Sequence, residues 1–243
     1  MNVLPQVETI KFILLENVCG FEKSDSRDLV IKTLSVAGFS VEEFLICPRQ
    51  IGIPNSRLRY YLLARRDNIN NTEESSNRDI LTDFNALTNS MNLLNIDNSS
   101  RDLSEYLDEL SDTSDYNLTD EVLAKHAKVL DVVRSDSLVS CCFTSGYHRY
   151  CEGTGSVLQT QGTEEDFHEA YRAFSESSDV EHLKKLQLRY FTPAEIARIL
   201  GFPSSFTFPD SVTLKQKYKV LGNSLNVTVV SLLICHLLRE DSS

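Results

Sequence analysis

Large apolar side chains fill four successive positions, Phe12, Ile13, Leu14 and Leu15, and the run stops abruptly at Glu16-Asn17-Val18. A run without alternation suits a strand covered on both faces of a largely parallel sheet. Ligands of such sheets bind beyond the carboxyl ends of the strands, which is where this one delivers Glu16. The rhythm then changes. Ser24-Asp25 opens a helix predicted to reach residue 37 and to stop at Gly38. Strands follow at residues 41–46 and 57–66, separated by the Gly/Pro-punctuated loop 50–54. Within the second, Arg57, Arg59 and Tyr61 lie two apart and share a face.

From residue 67 to 117 periodicity fades into Asn, Ser, Asp and Thr with scattered Leu, the pattern of a mobile insertion with a short amphipathic piece at 103–110. Order is predicted to resume with a helix capped at Thr119 and running to about residue 133, its apolar face Val122, Leu123, Val129, Leu130 and Val133. A strand at 138–143 and a charged helical connection at 164–186 follow. Thr192-Pro193-Ala194-Glu195 is a capping box with Pro at the first helical position, and Gly201 ends that helix. Further helices are predicted at 213–221 and from Asn223-Ser224 to 238. Four regions result: residues 1–66; 67–117, an acidic insertion; 118–190; and 191–243, a run of helices.

Net charge is −11, and its placement matters more than its size. Residues 67–137 hold 16 acids against 5 bases, leaving the rest of the chain neutral, so nucleic-acid binding elsewhere is not excluded. The six Cys form no Cys-x-x-Cys pair and no repeating spacing, which argues for free thiols in a reducing compartment rather than a metal or disulfide framework. No run of 18 apolar residues is present and the N-terminus is unlike a secretory signal, so the expectation is an intracellular protein without a membrane partner.

The residues alone leave alternatives open. Glu16 is either a solvated strand-end acid or an acid in a site. Arg57 and Arg59 are either an exposed edge or a guanidinium fork for carbonyl or phosphate oxygen. The run Cys142-Phe143-Thr144-Ser145-Gly146-Tyr147-His148-Arg149-Tyr150 suits either base stacking or a core edge. Lys215, Lys217 and Lys219 add positive charge to one helix, and Asn223 with its neighbouring free amides could meet a ligand.

In order, these pieces resemble the later motifs of the cytosine-5 methyltransferases. Glu16-Asn17-Val18 is similar to their Glu-Asn-Val motif, Arg57-Leu58-Arg59 to their Arg-x-Arg motif, residues 189–203 to the segment that scaffolds target recognition, and Gly222-Asn223-Ser224 to the returning cofactor-side motif. Cys142-Phe143-Thr144, with residues 21–24 and 153–159, resembles the branch that acts on tRNA-aspartate. The resemblance implies an α/β fold, the C-terminal part of a Rossmann-like S-adenosylmethionine-dependent methyltransferase sheet plus a small target-recognition region. It further implies that Glu16 assists at cytosine nitrogen 3, that Arg59 with Arg57 holds the 2-carbonyl, and that Asn223 and Ser224 close one side of the S-adenosylmethionine pocket. Asn17, Cys142, Phe143, Thr144, Tyr147, Arg149 and the three lysines are then expected to meet substrate.

The family's Gly-rich loop and its Pro-Cys nucleophile are both missing from these residues. The expectation is therefore an N-terminally truncated tRNA methyltransferase, inactive alone and prone to aggregate, acting in the cytoplasm and secondarily the nucleus. The rivals are a DNA cytosine-5 methyltransferase and a non-catalytic RNA-binding or regulatory fragment.

Overall fold

A computed structural model describes residues 9–66, 80–82 and 87–239. They form two compact units, one of Met1–Ile51, Arg57–Asn98 and Thr228–Ser243, the other of Gly52–Ser56 and Ser99–Val227.

The first unit is built on strands β1 (Phe12–Val18), β2 (Phe39–Ile46) and β3 (Arg59–Arg66), in the order β1-β3-β2. Both neighbours pair antiparallel with β3. This corrects the expectation of a parallel arrangement around β1. Helix α1 (Asp25–Val36) lies between β1 and β2 in sequence, its N-cap Ser24 accepting a hydrogen bond from Arg27 N at 3.2 Å and Asp25 and Asp28 in its first turn meeting the positive end of the helix. Gly38, at φ +79°, supplies the left-handed turn that ends it.

Alternation along β3 assigns its two faces. Tyr60, Leu62 and Ala64 form a core with Leu34, Val30 and Ile31 of α1 and with Ile13 and Leu15 of β1. Helix α8 (Val227–Leu238) serves the other face: buried His236 meets Phe44 edge-on at 5.8 Å and Glu42 at 2.9 Å, and Arg65 donates to the Leu237 carbonyl at 2.7 Å. β1 is less covered than its composition suggested. None of its residues is fully buried, Phe12 is 41% exposed, and among the described residues only β3 pairs with it. A short helix, α2 (Thr88–Leu93), completes this unit among the described residues.

The second unit departs further from expectation. Thr119 does cap a helix, but α3 (Asp120–His126) is short, and residues 131–133 form strand β4 (Asp131–Val133) instead of more helix. The strand expected at 138–143 is absent; that segment lies outside any sheet, Ser140 instead bonding by its N–H to Pro54 O at 2.9 Å. β4, β5 (Ser156–Gln159) and β6 (Leu188–Tyr190) make a second sheet, with α4 (Glu164–Ser177) and α5 (Glu181–Lys184) between β5 and β6 in sequence.

Helix α6 (Pro193–Ile199) carries its capping box, and Glu195 does more than cap. While accepting from Thr192 N at 2.7 Å, it takes a two-pronged bond from Arg189 at 2.9 and 2.7 Å, and both residues are buried. The same carboxylate accepts from Asp108 N at 3.0 Å, and Arg198 binds Asp108 at 2.5 Å. With Leu103 and Tyr106 also buried, residues 99–117 are packed structure, which corrects the reading of 67–117 as one mobile insertion. Its Asp108 found partners far away in sequence, whereas Asp102 and Asp112 accept from Ser104 and Ser114 two residues on. Residues 67–79 and 83–86 lie outside the described residues.

Residues Leu214–Leu238 are apolar and long enough to cross a membrane by length and composition. They fold as two helices, α7 (Leu214–Gly222) and α8, and α8 turns Leu232, Leu233 and His236 inward.

Candidate active site

Register builds the site in the first unit. Glu16 stands opposite Tyr61 and Val18 opposite Arg59, so Glu16 and Arg59 are diagonal neighbours on one face of the sheet. Arg59 Nε lies 3.3 Å from Glu16 Oε1, both side chains being partly exposed. Burial pushes the Tyr61 phenol well above its ordinary range, and the Glu16 carboxylate adds to that while Arg57, Arg59 oppose it. The Tyr61 phenol thus lies in the field of Glu16, Arg57 and Arg59 at one end of β1 and β3, and of Cys47 just past the end of β2. Sequence spacing missed Cys47, because the end of β2 reaches this point only once the strands pair. Arg57 is 5% exposed, which makes it a buried cation rather than an edge residue. Asn17 turns its amide oxygen onto its own neighbour, Val18 N, at 2.9 Å.

Chemically, a carboxyl beside a guanidinium offers an acceptor or acid next to a fixed fork of N–H donors. That combination complements a planar ring whose nitrogen adjoins a carbonyl.

The second unit brings Cys142-Phe143-Thr144 against Gly222. A Cβ on Gly222 would overlap the backbone of Thr144 and Ser145, so two segments nearly 80 residues apart touch main chain to main chain. Phe143 and Tyr147, expected to meet substrate, are core instead. Phe143 is 1% exposed; Tyr147 is 4% exposed, donates to Ser156 O at 2.7 Å and accepts from Phe191 N at 2.9 Å. Gly155, at φ +148°, makes room for both rings. Aromatic residues from β6 and α7, Tyr190 and Tyr218, close this cluster. Thr144 and Cys142 stay partly accessible and Arg149 and Tyr150 exposed, while the His148 ring, though exposed at its rim, stacks on Tyr218 at 5.2 Å; the Arg149 guanidinium lies 4.9 Å over the Tyr150 ring.

Two further expectations are corrected. Asn223 does not begin a helix. It follows α7 as its C-cap, its N–H bonded to Lys219 O at 3.2 Å, and Ser224 returns both N–H and hydroxyl to Leu221 O. Those amides are spent within the turn. The three lysines are not one cluster: at about 100° per residue Lys215 and Lys219 share a face of α7, while Lys217 points to the other side, 5.7 Å from the Phe208 ring centre.

A model of the C-5 cytosine-specific DNA methylase family matches residues 7–239. The chain belongs to this family. Its kin are S-adenosylmethionine-dependent transferases, and the α/β architecture above is theirs. The tRNA (cytosine(38)-C(5))-methyltransferase of Bos taurus is 37% identical over 286 residues, covering 96% of this chain and 73% of that relative. The DNA (cytosine-5)-methyltransferase of Dictyostelium discoideum is 35% identical over 252 residues, covering 92% and 64%. A solved DNMT2 variant from Spodoptera frugiperda superposes with a TM-score of 0.84 at 36% identity, covering 98% of this chain and 70% of that one.

The Asn223 N–H and both the N–H and hydroxyl of Ser224 are already bonded within their turn. The backbone N–H groups of Asn223 and Ser224 are therefore not free donors for S-adenosylmethionine. Neither a Gly-rich loop after a strand nor a Pro-Cys pair occurs in the 243 residues.

Proposed function

We propose that this chain supplies the cytosine-orienting and target-recognition parts of a tRNA cytosine-5 methyltransferase. Its substrate would be an anticodon-loop cytosine of tRNA-Asp, at the position 38 named for its relatives, met in the cytoplasm and secondarily in the nucleus. The 3.3 Å pairing of Glu16 with Arg59 carries the reading, since it sets an acid and a carbonyl-binding fork side by side. In that role Glu16 shares a proton with ring nitrogen 3 of a flipped cytosine, Arg59 donates to its 2-carbonyl, and Arg57 reinforces the positive charge. Cys142, Thr144 and Arg149 are the proposed contacts to the surrounding RNA. Methyl transfer also needs a thiolate attacking carbon 6, and no cysteine here follows a Pro, so the chain by itself is proposed to bind without turnover.

The test is methyl transfer and binding measured together, on tRNA-Asp, on the same tRNA with uridine at position 38, and on duplex DNA. Binding that prefers the cytosine-bearing tRNA, with no methyl incorporated, is the expected result. Methyl transfer lost on mutating one of the six Cys would overturn the inactivity, and a preference for duplex DNA would favour the function named for the Dictyostelium relative.

A further inference from the structure

The second unit holds a cavity of about 410 Å³ whose walls come from α6, residues 202–208, the start of α7 and the 108–116 segment. Phe202, Phe206 and Phe208 form a ladder along one wall, with ring centres 4.6 and 5.0 Å apart in sequence. Phe206 remains 37% exposed, so ring surface that the protein does not itself cover faces this space. Lys217 stands at the Phe208 end and forms no ion pair among the described residues. The other two charges on the wall, Arg198 and Asp108, neutralise one another at 2.5 Å, which leaves the lining net positive by one.

We propose that this cavity binds a single unstacked nucleotide of the RNA target, its base against the phenylalanine ladder and its phosphate at Lys217. The proposal rests on the reading of the chain as RNA-directed. Its size falls within the ~300–1,000 Å³ typical of small-molecule sites, enough for one nucleotide and too little for a duplex. Aromatic rings accept any base face, and an unpaired ammonium supplies the phosphate contact that a purely apolar peptide side chain would leave unused. The segment that contributes Leu110 and Tyr116 also carries exposed Glu109, Asp112 and Asp115, which repel phosphate. That confines the contact to the α7 side and to one nucleotide.

The experiment uses the full chain and a seven-nucleotide single-stranded RNA containing one 5-iodouridine. Irradiation followed by peptide mapping is expected to place the adduct on Phe206 or Phe208. Phe206→Ala should weaken binding about tenfold while Phe206→Tyr keeps it, and Lys217→Ala should lower the slope of log affinity against log salt by about 1. Melting curves of each variant guard against misfolding. Adducts confined to residues outside 192–217 would overturn this site alone and leave the RNA-directed reading standing. Wild-type affinity in Phe206→Leu would also overturn it, because apolar bulk rather than stacking would then suffice. If the wild-type chain binds no RNA at all, both readings fall.

Discussion

Gly222 faces the peptide bond that joins Thr144 to Ser145 so closely that no side chain fits between them. The contact fixes the Cys142-Phe143-Thr144 segment to the end of α7. Gly222→Ala must push one main chain off the other, and neither is the far end of a flexible side chain. Overpacking of this kind costs about 1–3 kcal/mol, and in a chain of this size each kcal/mol lowers Tm by roughly 2–4 °C. A melt of Gly222→Ala within 1 °C of wild type would show that the backbones separate freely.

The buried Arg189–Glu195 pair gives a second expectation. Glu195→Gln leaves Arg189 charged, buried and without its counter-charge, at an expected loss of roughly 3–5 kcal/mol. Arg189→Met combined with Glu195→Gln should recover part of that loss, since the uncompensated charge is gone. Denaturant unfolding of the two single variants and the double variant measures the coupling. Additive losses would mean that the pair acts through its separate backbone bonds.

At Glu16 and Arg59 the reverse holds. Their ion pair is partly exposed, and such pairs contribute at most about 1 kcal/mol. Arg59→Ala should therefore melt close to wild type, yet lose the preference for tRNA bearing the target cytosine. A large drop in Tm with the preference intact would make the pair a structural brace.

Cys141 provides a pH test. Partial desolvation of this still exposed residue first, then the Asp131 carboxylate, raises its thiol from the ordinary 9.0 to about 11. Only thiolate alkylates, so at pH 8 Cys141 should react with iodoacetamide about 100-fold more slowly than an ordinary thiol, accelerating about tenfold per pH unit up to about 11. For a thiol whose folded value is the higher one, the unfolded chain ionises first. Its contribution to stability is complete below pH 9 and declines as pH rises toward about 11. Peptide mapping of timed alkylation reads the rate, and equal labelling of all six Cys at pH 8 would refute the shift.

Among the described residues β1 has a partner along one edge only, and Phe12 and Val18 expose apolar surface beside it. An open edge of this kind templates association. The chain alone should sediment as more than monomer, and Phe12→Lys should shift it toward monomer. A monodisperse wild-type monomer with a sharp melt would show that the edge is harmless.

Local signals in the chain were enough for the caps and stops. Ser24, Thr119 and Thr192 each accept from the backbone three residues on, and Gly38 and Gly201 take positive φ where the helices end. Strand alternation also placed Arg59 and Tyr61 on one face before any partner was known. Such features depend on neighbours within four residues, so sequence alone determines them. Pairing and burial do not. The antiparallel match of β1 with β3, the arrival of Cys47 beside Tyr61, the sinking of Phe143 and Tyr147 into the core and the capture of Asp108 by Arg198 all join residues distant in sequence. An aromatic that can stack on a base is, by composition, the same aromatic that can fill a core. Only the tertiary structure, by deciding which surfaces lose contact with water, separates the two.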